Sequence, residues 1–167
     1  MLSALQGVVS YKKDKIKHTE SAMFSAKYTP LVTSAGMGVA LGAGSLRVLW
    51  QPTIGVEQEI ITAAEPKKPT GTITRGYGGV EVAVYPADDR LKKRLEWANA
   101  YTYWPDFRKT DQLKDSHNRH RLFTSSLTYY FDGDRHLGVG LDYLRGENPS
   151  KGQPRQEYTQ VALKVRY

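Results

Sequence analysis

Apolar side chains fall on every second position along most of this chain. At the carboxyl end, "EYTQVALKVRY" sets Thr159, Val161, Leu163, Val165 and Tyr167 on one face and Gln160, Lys164 and Arg166 on the other. The same period runs through Ala22, Phe24, Ala26 and Tyr28, through Leu46, Val48, Trp50, Ile54 and Val56, and through Val80, Val82 and Val84. It returns in Phe123, Leu127, Tyr129 and Phe131, and again in Leu137, Val139, Leu141 and Tyr143. Successive side chains leave a strand on opposite faces, so this alternation marks strands whose two faces meet different surroundings. Residues 86–97 contain good helix formers. Even so, Leu95, Trp97, Tyr101 and Tyr103 set against Glu96, Ala98, Ala100 and Thr102 fit period two, with Asn99 and Trp104 out of pattern. With a weaker opening strand around "LQGVVSYK", the pattern predicts an all-β, antiparallel chain of about eight strands, each roughly 9 to 14 residues long. Soluble strands most often have about 5 to 6 residues, whereas a tilted strand crossing a bilayer needs about 9 to 11.

The segments between the strands carry a second pattern. Working back from Tyr167, "RGENPSKGQPRQ" reads as a long polar loop and "DGDR" as a tight turn. "DFRKTDQLKDSHNRH" is long again, "PADDR" short, and "TAAEPKKPTGT" long. "LVTSAGMGVALGAG" breaks the alternation, because a long, small and weakly apolar segment stands where a short turn belongs. It reads as an extra hairpin, as a turn folded into the interior, or as a sign that the first two strands are misplaced.

Composition removes several classes. At 167 residues the chain is one domain of ordinary size. It has no cysteine, so disulfides and thiolate metal sites are excluded. No apolar run reaches the ~18 residues that a membrane-spanning helix needs. The opening "MLSALQGVVSYKK" carries its positive charges after the apolar part, so it does not read as a secretory signal. The expectation is a mature chain, or the carboxyl-terminal part of a longer one.

The terminal "YTQVALKVRY", with its aromatic last residue and Val161, Leu163, Val165 and Tyr167 on one face, resembles the strand that the assembly machinery reads in bacterial outer-membrane β-barrel proteins. The resemblance implies a single transmembrane barrel over 1–167 in the outer membrane, with short periplasmic turns and long extracellular loops. Lipid offers the backbone no hydrogen-bond partners, so spanning strands close on one another and turn apolar side chains outward. On that arrangement Tyr167, Tyr129 and Phe131 form one aromatic girdle, and Tyr101, Tyr103, Phe123 and Tyr143 the other. Lys27, Arg47, Arg75, Glu81, Glu96, Asp142, Lys164 and Arg166 then point inward as a charge network, beside bulky Tyr85 and Trp104. A soluble sandwich or lipocalin-like barrel has the opposite sign, apolar inside and charged outside, and alternation alone carries no sign.

An eight-stranded barrel is only wide enough for its own side chains, so a lone one is plugged. The first expected function is therefore non-enzymatic, a structural or recognition role through a rigid barrel and basic outer loops. The second is a channel, or part of a larger export or uptake barrel; a barrel lipid-modifying enzyme stands third. Expected partners are outer-membrane lipid and lipopolysaccharide, the barrel assembly machinery, and copies of the chain or a parent barrel. The formal charge of +7 is spread without any nucleic-acid module, which argues against nucleic acid. No cofactor is expected. Asp115, Ser116, His117 and His120 lie close in "KDSHNRH", but neighbours in an extended loop diverge rather than converge on a substrate. His117 and His120 lack further metal ligands. "GYGG" at 76–79 sits within a strand with no helix after it, so it is no phosphate loop.

Overall fold

The computed structural model describes residues 2–14, 19–32, 35–37, 41–43, 45–63, 70–88, 90–91, 93–110, 113, 118–151 and 153–165. Nine strands follow one another: β1 (Leu2–Asp14), β2 (Thr19–Leu31), β3 (Leu41–Ala43), β4 (Leu46–Ala63), β5 (Gly71–Pro86), β6 (Leu95–Lys109), β7 (Arg119–Tyr130), β8 (Leu137–Asn148) and β9 (Gln153–Val165). All belong to one antiparallel sheet in the order β1-β2-β4-β5-β6-β7-β8-β9, with β3 paired to β4. Eight long strands thus stand where about eight were expected, and β3 is the addition. It resolves the irregular segment as an extra hairpin: β2 pairs with β4 only as far as Tyr28↔Ile54, and Leu41↔Val48 and Ala43↔Leu46 cover the rest of that edge. The Trp50 indole donates to the Ala35 carbonyl at 3.2 Å and ties the segment down.

The helix formers before β6 yield only one turn. Asp88 Oδ1 accepts from the backbone of Arg90 at 2.8 Å and Leu91 at 3.2 Å, and Leu95 N–H reaches the Leu91 carbonyl at 2.8 Å. Asp88 thus caps this single turn, and the strand pattern takes over at Leu95.

The expected strict alternation of long and short connections is not found. Connections span 15–18, 64–70, 110–118 and 149–152 at one end of the strands, and 32–45, 87–94 and 131–136 at the other. The polar segments read as long loops are in part strand. β6 runs on to Lys109 past a bulge at Phe107, where Arg75 pairs with Asp106 and Thr74 with Arg108. β8 continues to Asn148 through a register shift beyond Gly146, whose φ of 128° only glycine adopts freely.

The two faces differ sharply. Outward, Leu5 (78% exposed), Val9 (73%), Val161 (75%) and Leu163 (69%) join Ile54, Val56, Trp97, Phe107, Phe123, Leu127 and Leu141 in an exposed apolar surface. The other face buries Ser21, Met23, Ser25, Glu57, Arg75, Trp104, Thr128 and Tyr130. The sheet is therefore polar within and apolar without. It is also open: among the described residues no ladder joins β1 to β9, so the sheet is not closed into the barrel expected from the sequence. The ends of the strand order nevertheless meet, since Lys12 on β1 donates to the Pro149 carbonyl, between β8 and β9, at 3.3 Å.

Candidate functional site

The inner face carries a chain of charges near the end of the sheet that bears the 64–70 and 110–118 connections. The E-x-E spacing in β4 puts Glu57 and Glu59 on one face, and the register sets Glu57 opposite Arg75 of β5 and Ser25 of β2. Glu57 lies 3.5 Å from Lys27 and accepts from the Ser150 hydroxyl at 2.5 Å. Glu59 accepts from Ser21 at 3.0 Å and from Arg75 at 2.9 Å, with Lys12 at 3.5 Å. Arg75, almost wholly buried, turns its Nε toward Asp106 at 3.4 Å. Asp106 pairs with Lys109 at 2.9 Å and with His120 at 3.2 Å, and the second nitrogen of His120 lies 3.1 Å from Glu147. Acids and bases alternate from β1 round to the turn between β8 and β9. Buried charges are tolerated only when partnered, and this alternation sets an opposite charge beside each one, although Glu57 Oε1, Arg75 Nη1 and Asp106 Oδ1 are buried without a hydrogen bond among the described residues. Below the network Trp104 packs edge-on against Tyr77 at 5.6 Å, and Lys27 stands 4.2 Å over the same Tyr77 ring.

Two smaller clusters sit toward the other end. Lys164 reaches both oxygens of Asp142, at 2.6 and 2.7 Å, and Ser126 donates to Asp142 at 2.6 Å. Gly140 makes room for this, because a Cβ there meets the Lys164 Cε at 2.6 Å. Glu96 pairs with Arg135 at 2.6 Å, and the Arg135 guanidinium lies 5.5 Å from the Tyr130 ring and 5.9 Å from that of Tyr85. In the β7–β8 turn, partial burial favours a protonated Asp132. Hydrogen bonds from the Leu137 and His136 backbone and the His136 ring outweigh it and hold the carboxyl below its usual range.

Of the charged residues expected inside, Lys27, Arg75, Glu96, Asp142 and Lys164 stand in these pairs. Arg47 and Glu81 fall on the same rows, opposite Tyr85 and Gln51, but they are exposed and have no ion-pair partner among the described residues. Arg166 and Tyr167 lie outside the described residues, as do Asp115, Ser116 and His117. Val161, Leu163 and Val165 share the exposed outer face of β9. Among the aromatic residues, Phe123 and Tyr143 are 6.2 Å apart, Tyr129 and Phe131 are 5.9 Å apart, and Tyr101 pairs with Phe123 in register. Tyr103 lies opposite Arg121. Asn99, out of pattern in the sequence, is on the outer face and is satisfied there: Ser125 donates to it at 2.8 Å and accepts from the Trp97 indole at 2.9 Å.

Sequence reading missed the centre of the network. Glu57 and Glu59 were legible as alternating acids in "VEQEII". Asp106, Lys109 and His120 were assigned to a loop because the bulge at Phe107 breaks period two there. The basic segments also prove less free than their charge suggests, for Lys12, Lys13 and Lys109 each pair with a carboxylate. No family model, curated protein or solved structure matches the chain.

Proposed function

We propose that this chain is an outer-membrane β-barrel protein whose plugged interior serves as a rigid scaffold and whose outer end serves recognition, without catalysis. The observation that carries the reading is the sign of the alternation: Glu57 and Arg75 are each 2% exposed, while Leu5, Val9 and Val161 are at least 73% exposed. In water that arrangement forfeits the hydrophobic contribution of an entire face; in lipid it is the stable one. Strand length supports it, since every strand but β3 meets the ~9 to 11 residues that a crossing needs. The terminal strand resembling an assembly signal points the same way. On this reading β1 and β9 join in the bilayer, where unpaired edges cost several kcal/mol per backbone group. The ion network then blocks passage.

The unpaired edges of β1 and β9 favour a second reading, in which this sheet is part of a wider barrel with a transport role. One experiment separates the two. The chain is refolded in detergent micelles, run on a gel with and without boiling, and examined for single-channel conductance in a planar bilayer. A heat-modifiable monomer without conductance agrees with the plugged scaffold. Steady conductance from a heat-modifiable oligomer selects the wider barrel. A monomer soluble without detergent overturns both.

A further inference from the structure

Three neighbouring strands change character in the same direction on the outer face. Along β7, Leu127 and Phe123 give way to Arg121 and Arg119; along β8, Leu141 and Tyr143 give way to Arg145; along β9, Leu163 and Val161 give way, past Glu157, to Arg155. These four arginines and Glu147 line a cavity of about 640 Å³ with Tyr101, Phe123 and Tyr143. One carboxylate pairs with these arginines: Glu157 lies 3.5 Å from Arg145 and accepts from the Tyr143 hydroxyl at 2.8 Å. Arg145 and Glu157 are both more than half exposed, so their pair is weak. Glu147 is drawn to His120. Arg119, Arg121 and Arg155 have no ion-pair partner among the described residues.

We infer that this cavity binds the phosphate-bearing headgroup of a lipid whose acyl chains lie along the apolar rows of β7, β8 and β9. Guanidinium forks match phosphate oxygens bidentately. The aromatic rings beneath sit where headgroup meets hydrocarbon, and Leu127, Leu141, Val161 and Leu163 continue the surface that acyl chains cover. An acidic peptide or a free anion leaves that apolar continuation unused. The inference rests on the membrane reading above.

The test uses the full chain refolded in phosphatidylcholine nanodiscs, with phosphatidic acid or diacylglycerol of the same chains added and retained lipid counted by native mass spectrometry. The wild type is expected to retain phosphatidic acid over diacylglycerol. Arg121→Gln with Arg155→Gln is expected to cut retention by about tenfold or more, the scale of losing charge-assisted hydrogen bonds. Glu157→Gln, which removes the competing carboxylate and no cation, is expected to raise it. Arg47→Gln with Arg90→Gln, equal in charge but outside the cavity, is expected to leave it unchanged. Equal retention of the two lipids, or loss in both double variants alike, overturns the site. Displacement by inorganic phosphate overturns the lipid assignment in favour of a free-anion site. Failure of the wild type to give a heat-modifiable band in any lipid overturns the membrane reading, and the site with it.

Discussion

Replacing Arg75 by Met tests whether the interior network holds the fold. The guanidinium is almost fully buried and joins Glu59, at 2.9 Å, to Asp106, at 3.4 Å. Removing one partner of a buried ion pair costs about 3–5 kcal/mol when the other is stranded. Neither acid is stranded here: Glu59 keeps Ser21 at 3.0 Å and Lys12 at 3.5 Å, and Asp106 keeps Lys109 at 2.9 Å and His120 at 3.2 Å. Met also occupies much of the vacated volume, so the expected loss falls below that range, at about 2–3 kcal/mol. The assay is urea unfolding in detergent micelles, followed by the fraction of heat-modifiable band. Lys13→Met is the control, because its pair with Glu20 is at the surface and its loss is expected to leave the midpoint unmoved. Asp106→Asn added to Arg75→Met is expected to cost less than the sum of the single changes, since the two share one network. An Arg75→Met protein as stable as wild type, or a control that costs as much, refutes the claim that the network is structural.

Other expectations follow from the same geometry. Gly55→Ala puts a Cβ against the Ala26 carbonyl oxygen, inside van der Waals contact and against backbone that cannot swing aside, so β2 and β4 must part at about 1–3 kcal/mol. Asp142→Asn weakens the pair with Lys164, whose groups are 31% and 19% exposed, and is expected to cost about 1–2 kcal/mol in the urea assay, less than Arg75→Met. Among single-tryptophan variants in bilayers with brominated acyl chains, Trp97 on the outer face is expected to be quenched strongly and Trp104, 2% exposed, barely. Because the Asp132 carboxyl sits below its usual range, its hydrogen bonds support the β7–β8 turn above the ordinary carboxylate pKa and are lost as pH falls through the folded value. Asp132→Asn is expected to flatten any such acid dependence of the midpoint.

Period two located all eight long strands and sorted their faces, because a one-residue slip moves every side chain to the other side. In the register formed, Leu127 and Tyr129 share a face with Leu141, Val139, Val161 and Leu163, and Lys164 lies on the other with Gly138 and Tyr130. Three things resisted. The sign of the faces is invisible in alternation, and only burial of Glu57 and Arg75 against exposure of Leu5 and Val161 reveals it. The strand ends were lost to bulges: Phe107 and Gly146 each shift the phase, so Asp106, His120 and Glu147 read as loop although they are neighbours in one network. The β1–β9 edge has no local signal, since closure depends on the summed curl of the sheet and on no single residue.

Residue-by-residue accessibility along β9 tests the central claim most directly. Nitroxide labels are placed one at a time at Gln160, Val161, Ala162 and Leu163 in the protein refolded into lipid. Their collision rates are then measured with molecular oxygen, which concentrates in hydrocarbon, and with a water-soluble nickel chelate. A β9 whose odd face meets lipid gives a period of two, with Val161 and Leu163 oxygen-accessible and shielded from nickel, and Gln160 and Ala162 shielded from oxygen. Uniform nickel access at all four positions, or the opposite phase, contradicts it.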